Sequence, residues 1–493
     1  MTVVKDRVLD ESTDRRTGIY IAGKWVAPAN RAVFAVDDPA TGQIVQELLD
    51  ATPDDAVLAL DAAADAQRSW ALTPPRVRSE ILRRAFELVL EKRDVLASTI
   101  TREMGKSLAE AHAEVTYGAE FLRWFAEEAV RVHGRSMITP EGTGLIHVSR
   151  RPVGPCYLVT PWNFPLAMLT RKVGPALAAG CTVVIKPADL TPLTALLVVE
   201  ILAEAGAPDG VVNLVTTTQP APISTAMLGD ERLRKISFTG STQVGRILLT
   251  QAAQRVLRCS MELGGNAPFI VLEGADVDAA VEGAMLAKFR NVGQACTAAN
   301  RFHVHHSLAD EFAAKLAAKA GALKLGPGSD PGVDLGPMIS DAAVERTIQI
   351  VDDAVQRGAT VLTGGRRPKG EGSFLEPTVL ADVQPGSRAL AEEIFGPVAP
   401  VARFDSVAEA LAAANDTEYG LASYVYAPSL DVGHAFASGL EAGMVGVNTG
   451  LVSNAAAPFG GVKSSGLGRE GGTEGIEEYL TTRYAASPEP RLR

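Results

Sequence analysis

The sequence predicts an α/β protein built on two doubly wound units, and three observations carry that prediction. Short apolar runs alternate with helical stretches over residues 182–253, and the alternation resumes over about residues 267–447. Successive runs are spaced like the ~30 residues of a strand–helix–strand crossover, which joins parallel neighbours. The chain has 493 residues, 46% hydrophobic and 21% charged, so it can fill large cores, and at ~150 residues per domain its length suggests roughly three domains.

Residues 1–16 alternate charge and polarity without an apolar core, so no secretory leader is expected. Residues 53–131 read as helices: Ala, Leu, Glu and Arg dominate, Ile81, Phe86 and Val89 recur at helical spacing, and Pro74-Pro75 interrupts the stretch. Residues 143–150 and 153–160 read as strands separated by a proline. The first alternation then places strands at 182–185, 211–215 and 235–238, with helices at 193–205 and 242–253. The second places strands at 269–272, 301–305, 398–404 and 444–447, with helices at 277–289, 308–322, 342–357 and 407–414. The junction falls near Glu262-Leu-Gly-Gly265. Doubly wound sheets bind ligands beyond the carboxyl ends of their strands.

Composition narrows the function classes. A net charge of −11 with no basic run argues against a nucleic-acid or anionic-membrane partner. The longest apolar stretch, 174–185, is far short of the ~20 residues of a spanning helix, and the ending SPEPRLR carries no lipidation or peroxisomal signal. Cys156, Cys181, Cys259 and Cys296 stand far apart with no C-x-x-C pair, which disfavours zinc ribbons and disulfide frameworks. A cytoplasmic, reducing location is expected.

Several residues stand out chemically. Cys296 lies among small and polar residues between a helix and a strand, where substrate can reach a thiol and backbone N–H groups favour a thiolate; an inert buried cysteine is the bland alternative. Glu262 sits at an otherwise apolar strand end, where burial would raise its pKa toward that of a general base, although a surface glutamate fits the local context as well. Asn163, between Pro161 and Pro165, suits either an oxyanion donor or a tight turn. Lys186 and Asp189 directly follow a parallel strand and could hold a nucleotide ribose and its phosphates. Residues 238–245, with Gly240, Ser241 and Gly245, form a strand, a turn and a helix start that offers N–H groups to an anion, but match neither G-x-G-x-x-G nor a P-loop. His303, His305 and His306 lack a partner motif, so no metal is expected. Arg171 and Arg290 read locally as helix charges.

Taken in order, these segments make the chain resemble the aldehyde dehydrogenase superfamily across nearly its whole length. The matching stretches are TPWNFP at 160–165, IKPAD at 185–189, FTGSTQVG at 238–245, MELGGN at 261–266, GQACTAANR at 293–301, EEIFGPV at 392–398 and PFGGVKSSGLGRE at 458–470. Within the superfamily, TRK at 170–172, KFRN at 288–291 and GVNTGLVSNAAAPFGG at 446–461 look most like the succinate-semialdehyde dehydrogenases.

That resemblance implies a cofactor-binding domain (1–133 and 151–261), a catalytic domain (262–470) and a small β oligomerisation arm (134–150 and 471–493), assembled as a homodimer or homotetramer. It makes Cys296 the nucleophile, Glu262 the general base and Asn163 an oxyanion donor. It assigns Lys186 and Glu393 to the ribose hydroxyls, Ser241 and neighbouring amides to the pyrophosphate, and Trp162 and Phe395 to the cofactor's ring environment. Arg171, Arg290 and Ser453 match the positions that bind the distal carboxylate, and both arginines are expected to face the mouth of the thiol site. The implied reaction is NAD- or NADP-dependent oxidation of succinate semialdehyde. Glutarate or 2-oxoglutarate semialdehyde and broad-range aldehyde oxidation are the alternatives, and CoA-acylating chemistry is disfavoured by Glu262. Asp189, with Ala188 offering no hydroxyl to a phosphate, leans the cofactor toward NAD. Ala298 stands where some relatives carry a second cysteine, so no redox-switch disulfide is expected there.

Overall fold

A computed structural model describes residues 16–28 and 30–488. The leader reading at 1–15 and the end of the SPEPRLR tail lie outside the described residues. Two hairpins that the sequence did not announce come first: β1 (Ile19–Ile21) with β2 (Lys24–Trp25), and β3 (Val33–Asp37) with β4 (Ile44–Leu49). The expected helical stretch is four helices, α1 (Pro53–Leu72), α2 (Pro75–Glu91), α3 (Arg93–Met104) and α4 (Leu108–Glu128). Thr52 and Asp55 cap α1 reciprocally, each side chain accepting the other's backbone N–H. The stretch breaks at Pro74-Pro75, and again at Lys92 and at Gly105, whose φ of +95° disfavours any side chain.

The chain continues through β5 (Arg135–Ile138), β6 (Gly144–Pro152), β7 (Cys156–Val159), α5 (Ala167–Ala179), β8 (Val183–Lys186), α6 (Leu193–Glu204), β9 (Val212–Val215), α7 (Pro220–Gly229), β10 (Lys235–Thr239), α8 (Thr242–Ala253) and β11 (Arg258–Glu262). Helix α5 is buried along its whole length, so it shows no polar stripe for periodicity to detect. Gly174 lets it close on α4: a Cβ there would stand 3.1 Å from the Phe125 ring.

The second unit runs β12 (Ala267–Val271), α9 (Val277–Phe289), β13 (Ala299–His305), α10 (His306–Gly321), α11 (Asp341–Gln356), β14 (Thr360–Thr363), β15 (Thr378–Ala381), α12 (Arg388–Ala391), β16 (Val398–Phe404), α13 (Val407–Asn415), β17 (Ala422–Tyr426), α14 (Leu430–Ala437) and β18 (Met444–Val447). Then come β19 (Gly466–Leu467), α15 (Glu474–Glu477) and β20 (Leu480–Pro488).

The first sheet has the order β19-β11-β10-β7-β8-β9-β1-β2, and the five strands from β11 to β9 are parallel. The chain winds outward from β7 through β8 to β9, then returns to the other side of β7, so the switch point lies between β7 and β10. A crevice opens at such a point beyond the strand ends. The second sheet has the order β14-β15-β16-β13-β12-β17-β18, parallel except for β14. Its centre is aromatic: Phe269 packs against Phe302, Phe312, Tyr424 and Tyr426, with ring centroids 5.1–6.2 Å apart. Burying one such side chain contributes about 1.5–3 kcal/mol.

The backbone crosses between the two units at a strand end. Glu262 itself ends a strand of the first sheet, and β19 returns to pair with it, Gly466 opposite Glu262. Only glycine fits there, since a Cβ on Gly466 would lie 1.9 Å from the Met261 carbonyl. Helix α15 packs on α5, so residues 474–477 cover the first unit before the arm begins. The arm itself is the separate sheet β20-β6-β5, with β20 paired to β6 along all nine of its residues. Among the described residues, no helix is long and apolar enough to cross a membrane.

Candidate active site

Strand ends of the first sheet supply one wall of the site. Trp162 and Asn163 follow β7, Lys186 ends β8, Gly240 and Ser241 follow β10, and Glu262 ends β11. Parallel pairing puts these ends on one edge, and the sequence motifs converge there because each motif terminates a parallel strand. The second unit supplies the facing wall, through the loop between α9 and β13 that holds Cys296 and the loop after α12 that holds Glu393 and Phe395.

Close backbone approach joins the two walls. A Cβ on Gly265 would stand 2.6 Å from the Cys296 carbonyl, so the bare Gly264-Gly265 pair lets the cysteine loop settle against the Glu262 strand end. Upstream of the cysteine, Asn291, Val292 and Gly293 hold successive φ values of +55°, +59° and +72°. Left-handed conformation is costly for a β-branched residue and persists only when its surroundings enforce it. Downstream, the Thr297 carbonyl accepts the Tyr424 hydroxyl at 2.7 Å. The Asn163 side-chain amide donates to the Gln294 carbonyl at 3.0 Å, which ties the loop after β7 to the cysteine loop.

Cys296 is half-buried. Burial pushes its thiol up to about 12, with the positive charges of Arg171 and Arg290 pulling the other way and Glu262 and Glu393 adding to the rise. Glu262 is buried, and one of its carboxylate oxygens has no hydrogen-bond partner. Burial and then the neighbouring Glu470 raise it well above the usual carboxylate range, against Arg171, Lys172 and Arg469. A carboxylate so placed is a strong proton acceptor held in reserve.

The two arginines differ. Arg171 is fully buried on α5, with its Nε 2.5 Å from Glu470 and its guanidinium 3.9 Å over the Phe459 ring. The expectation that it faces the mouth is therefore corrected: paired with Glu470, it is fully buried, and its Nη1 has no hydrogen-bond partner among the described residues. Arg290 is half-exposed, lies 5.6 Å over the Phe164 ring, and forms no ion pair with any described residue. Ser453 sits half-buried on the irregular loop before the Pro458–Gly461 turn.

Sequence reading assigned no role to Lys172, Glu470 or Lys288. Lys172 donates to Glu470 at 2.5 Å and to Ser237 at 3.0 Å. Burial would raise Glu470, but Lys172 and Arg171 outweigh that and hold it low. Lys288 is fully buried with no hydrogen-bond partner, and burial brings its ammonium down to about 7, opposed by Glu393. For Lys172 and Lys288 the available signal was charge inside helices that are otherwise rich in small and apolar residues; Glu470 lies outside any helix.

The remaining residues suit a dinucleotide. Lys186 is buried with its ammonium on the Pro187 carbonyl, 2.8 Å away, and burial lowers it to about 8 against Asp189. Asp189 is exposed and Ala188 half-buried beside it. Ser241 caps α8, accepting the Val244 N–H. Gly240 and Gly245 leave no room for a side chain, since a Cβ would lie 2.5 Å from the Phe238 ring and 2.4 Å from Leu263 respectively. These features let backbone N–H groups approach a pyrophosphate at a helix start. Trp162 and Phe395 meet edge to face at 5.4 Å. Glu393 accepts the Gly265 N–H at 3.2 Å, and burial raises it to about 7. The donor set fits NAD or NADP. Among the described residues, no group of three or more His, Cys, Asp or Glu is placed to hold a metal; His303 is buried and neutral, lowered to about 3 by burial and by Arg301.

Comparison with known proteins agrees with this geometry. The profile of the aldehyde dehydrogenase family matches residues 25–485. The chain is 58% identical over 443 residues to the succinate-semialdehyde dehydrogenase of Paenarthrobacter nicotinovorans, covering 90% of this chain and 98% of that protein. It is 47% identical to the glutarate-semialdehyde dehydrogenase of Pseudomonas putida, covering 95% and 97%. It superposes on the crystal structure of succinate-semialdehyde dehydrogenase from Burkholderia pseudomallei with a TM-score of 0.95, at 47% identity and with 97% and 99% of the two chains covered.

Proposed function

The chain belongs to the aldehyde dehydrogenase family, and from that premise we propose that it oxidises a short acid semialdehyde, chiefly succinate semialdehyde, to the carboxylic acid. The observation that carries the substrate class is Arg290, a guanidinium beside the thiol loop with no ion-pair partner among the described residues. The Nη1 of Arg171 is buried with no hydrogen-bond partner among the described residues, and its positive charge acts on the Cys296 thiol. A carboxylate would satisfy both, because guanidinium and carboxylate pair by charge-assisted, often bidentate hydrogen bonds. Ser453 adds a hydroxyl donor from the facing loop.

In this reading the Cys296 thiol loses its proton to solvent water, and the thiolate sulfur attacks the aldehyde carbon. The new oxyanion is held by the Asn163 amide and the Cys296 N–H. Bound NAD or NADP supplies the hydride acceptor. Lys186 and Glu393 would hold its ribose hydroxyls, Gly240, Ser241 and Gly245 would leave space and N–H groups for its pyrophosphate, and Trp162 and Phe395 would line its ring environment. Glu262 then takes a proton from water, whose oxygen attacks the thioester carbon; the carbon–sulfur bond breaks and the acid leaves. A CoA acceptor would need no such base.

Asp189 supports NAD: its carboxylate can accept from a 2′-hydroxyl and would repel a 2′-phosphate. We also infer a homodimer or homotetramer, because the arm exposes Met137, Ile138 and Tyr484 on an otherwise unpaired small sheet. Glutarate semialdehyde is the second reading, favoured by the 47% identity to an enzyme named for it. The test is the rate of NAD(P)H formation across succinate, glutarate and 2-oxoglutarate semialdehydes and uncharged aldehydes, each with both cofactors. Highest kcat/KM for succinate semialdehyde with NAD is expected; preference for an uncharged aldehyde would overturn the substrate reading, and preference for NADP the cofactor reading.

A further inference from the structure

Behind the oxyanion donor lies a set of buried charges that the chemistry above does not use. Lys106, in the turn between α3 and α4, is fully buried. Its ammonium donates to the Asn163 carbonyl at 3.0 Å and to the Glu114 carboxylate at 2.5 Å, and sits 4.0 Å from the Phe164 ring centroid. The other oxygen of Glu114 accepts the N–H groups of Leu166 and Ala167 at 2.9 and 3.3 Å, at the start of α5. One turn earlier on α4, Glu110 accepts the Asn291 N–H at 2.6 Å, and its second oxygen is buried without a partner. The Asn291 side chain closes the frame, donating to the carbonyls of Asn163 and Gln294 at 3.0 and 2.9 Å.

The backbone groups these side chains hold all lie between Asn163 and Ala167 or in the cysteine loop. A buried ammonium is costly, and an apolar side chain of similar size would commonly be as stable. The geometry also explains how a strained Asn291-Val292 turn is held. Across the domain junction the Lys106 turn is clamped from behind: a Cβ on Gly336 would lie 1.9 Å from the Gly105 carbonyl, and the Leu108 N–H donates to the Gly328 carbonyl at 2.9 Å.

We propose that Lys106 is a positioning residue for the oxyanion hole: its ammonium, locked by Glu114, fixes the Asn163 peptide so that the Asn163 side-chain amide faces the oxygen of an aldehyde attached to Cys296. The inference rests on the reading of Asn163 as oxyanion donor. It separates two reactions of the same sulfur. Attack on an aldehyde puts negative charge on a carbonyl oxygen, whereas alkylation by iodoacetamide forms a sulfur–carbon bond as the carbon–iodine bond breaks, with no such charge.

The test compares single-turnover NADH formation from succinate semialdehyde with the rate of carbamidomethylation of the Cys296 peptide, followed by mass spectrometry. Lys106→Met is the first variant, and Lys106→Met with Glu114→Gln is the second, which removes both charges of the buried ion pair together and guards against loss of folding. We expect aldehyde oxidation to slow by about tenfold or more, the scale of a weakened oxyanion donor, while alkylation stays within about twofold. Combined with Asn163→Ala, the Lys106 change should make the enzyme no slower than Asn163→Ala alone, as expected for residues acting through one another. Unchanged oxidation in the paired variant, equal losses in both reactions, or multiplying losses with Asn163→Ala would overturn the proposal. If Asn163→Ala alone leaves oxidation unchanged, the oxyanion reading itself fails, an outcome distinct from failure of Lys106 alone.

Discussion

Replacing Arg290 with alanine separates recognition of the substrate's charge from support of the fold. The guanidinium has no intramolecular ion-pair partner among the described residues and is half-exposed, so truncation leaves no salt bridge broken. A charge-assisted hydrogen bond to a carboxylate contributes about 1.5–3 kcal/mol, and partial exposure places Arg290 at the lower end of that range. A loss of about 1.4–2.8 kcal/mol in transition-state stabilisation corresponds to a 10- to 100-fold fall in kcat/KM. That fall is expected for succinate semialdehyde, while butanal, which has no carboxylate, should change by less than about threefold, or ~0.6 kcal/mol. Arg171→Ala provides the contrast. It leaves the buried Glu470 with Lys172 alone, a change of the kind that costs about 3–5 kcal/mol of stability, so both substrates and the melting temperature should suffer. The assay is initial-rate NADH absorbance with each aldehyde, alongside thermal unfolding. Equal losses of kcat/KM for both aldehydes in Arg290→Ala would refute the carboxylate reading and make Arg290 a support of the cysteine loop.

Glu262→Gln should leave single-turnover NADH formation within about tenfold while steady-state turnover falls by ~10²–10⁴, the usual contribution of a general base; because burial raises Glu262, wild-type turnover should climb with pH as the carboxyl ionises and the variant should lose that climb, and parallel loss of both phases would refute the hydrolytic role. Lys288→Met should raise stability. Burial brings the wild-type ammonium down to about 7 from the ordinary lysine value of 10.5, so below pH 7 its charge is a full burden of about 5 kcal/mol at most, which shrinks as pH rises toward 10.5. The gain in melting temperature should therefore be larger at pH 6 than at pH 9, and destabilisation by the variant at pH 6 would show that Lys288 has a partner that the geometry does not display. Phe269→Ala should cost about 3–5 kcal/mol in denaturant unfolding, since the ring is fully buried among four others; a loss below about 1 kcal/mol would mean that the sheet collapses to refill the space.

The sequence by itself determined the alternation of strands and helices, the approximate boundaries of most of them, and the motifs that end parallel strands. Those features are local: a strand such as Val183–Lys186 is a buried apolar run, and α1 begins at its own capping box. Helix α5 was hidden because burial on all sides removes the periodicity that marks a helix; β1 and β2 are too short to show alternation, and β3 and β4 bury few of their residues. Tertiary structure alone decided which charges are spent inside the protein. Arg171 and Arg290 look alike as residues on helices, yet Glu470, some 300 residues further along the chain, claims the first, while the second has no ion-pair partner among the described residues. Lys106 carries no local mark of its role, because its partners Glu114 and Asn163 are set by the packing of α4 and α5 and by the loop after β7. Interactions among buried charges depend on distances in space and on exclusion of water, and neither is written in the spacing of residues along a chain.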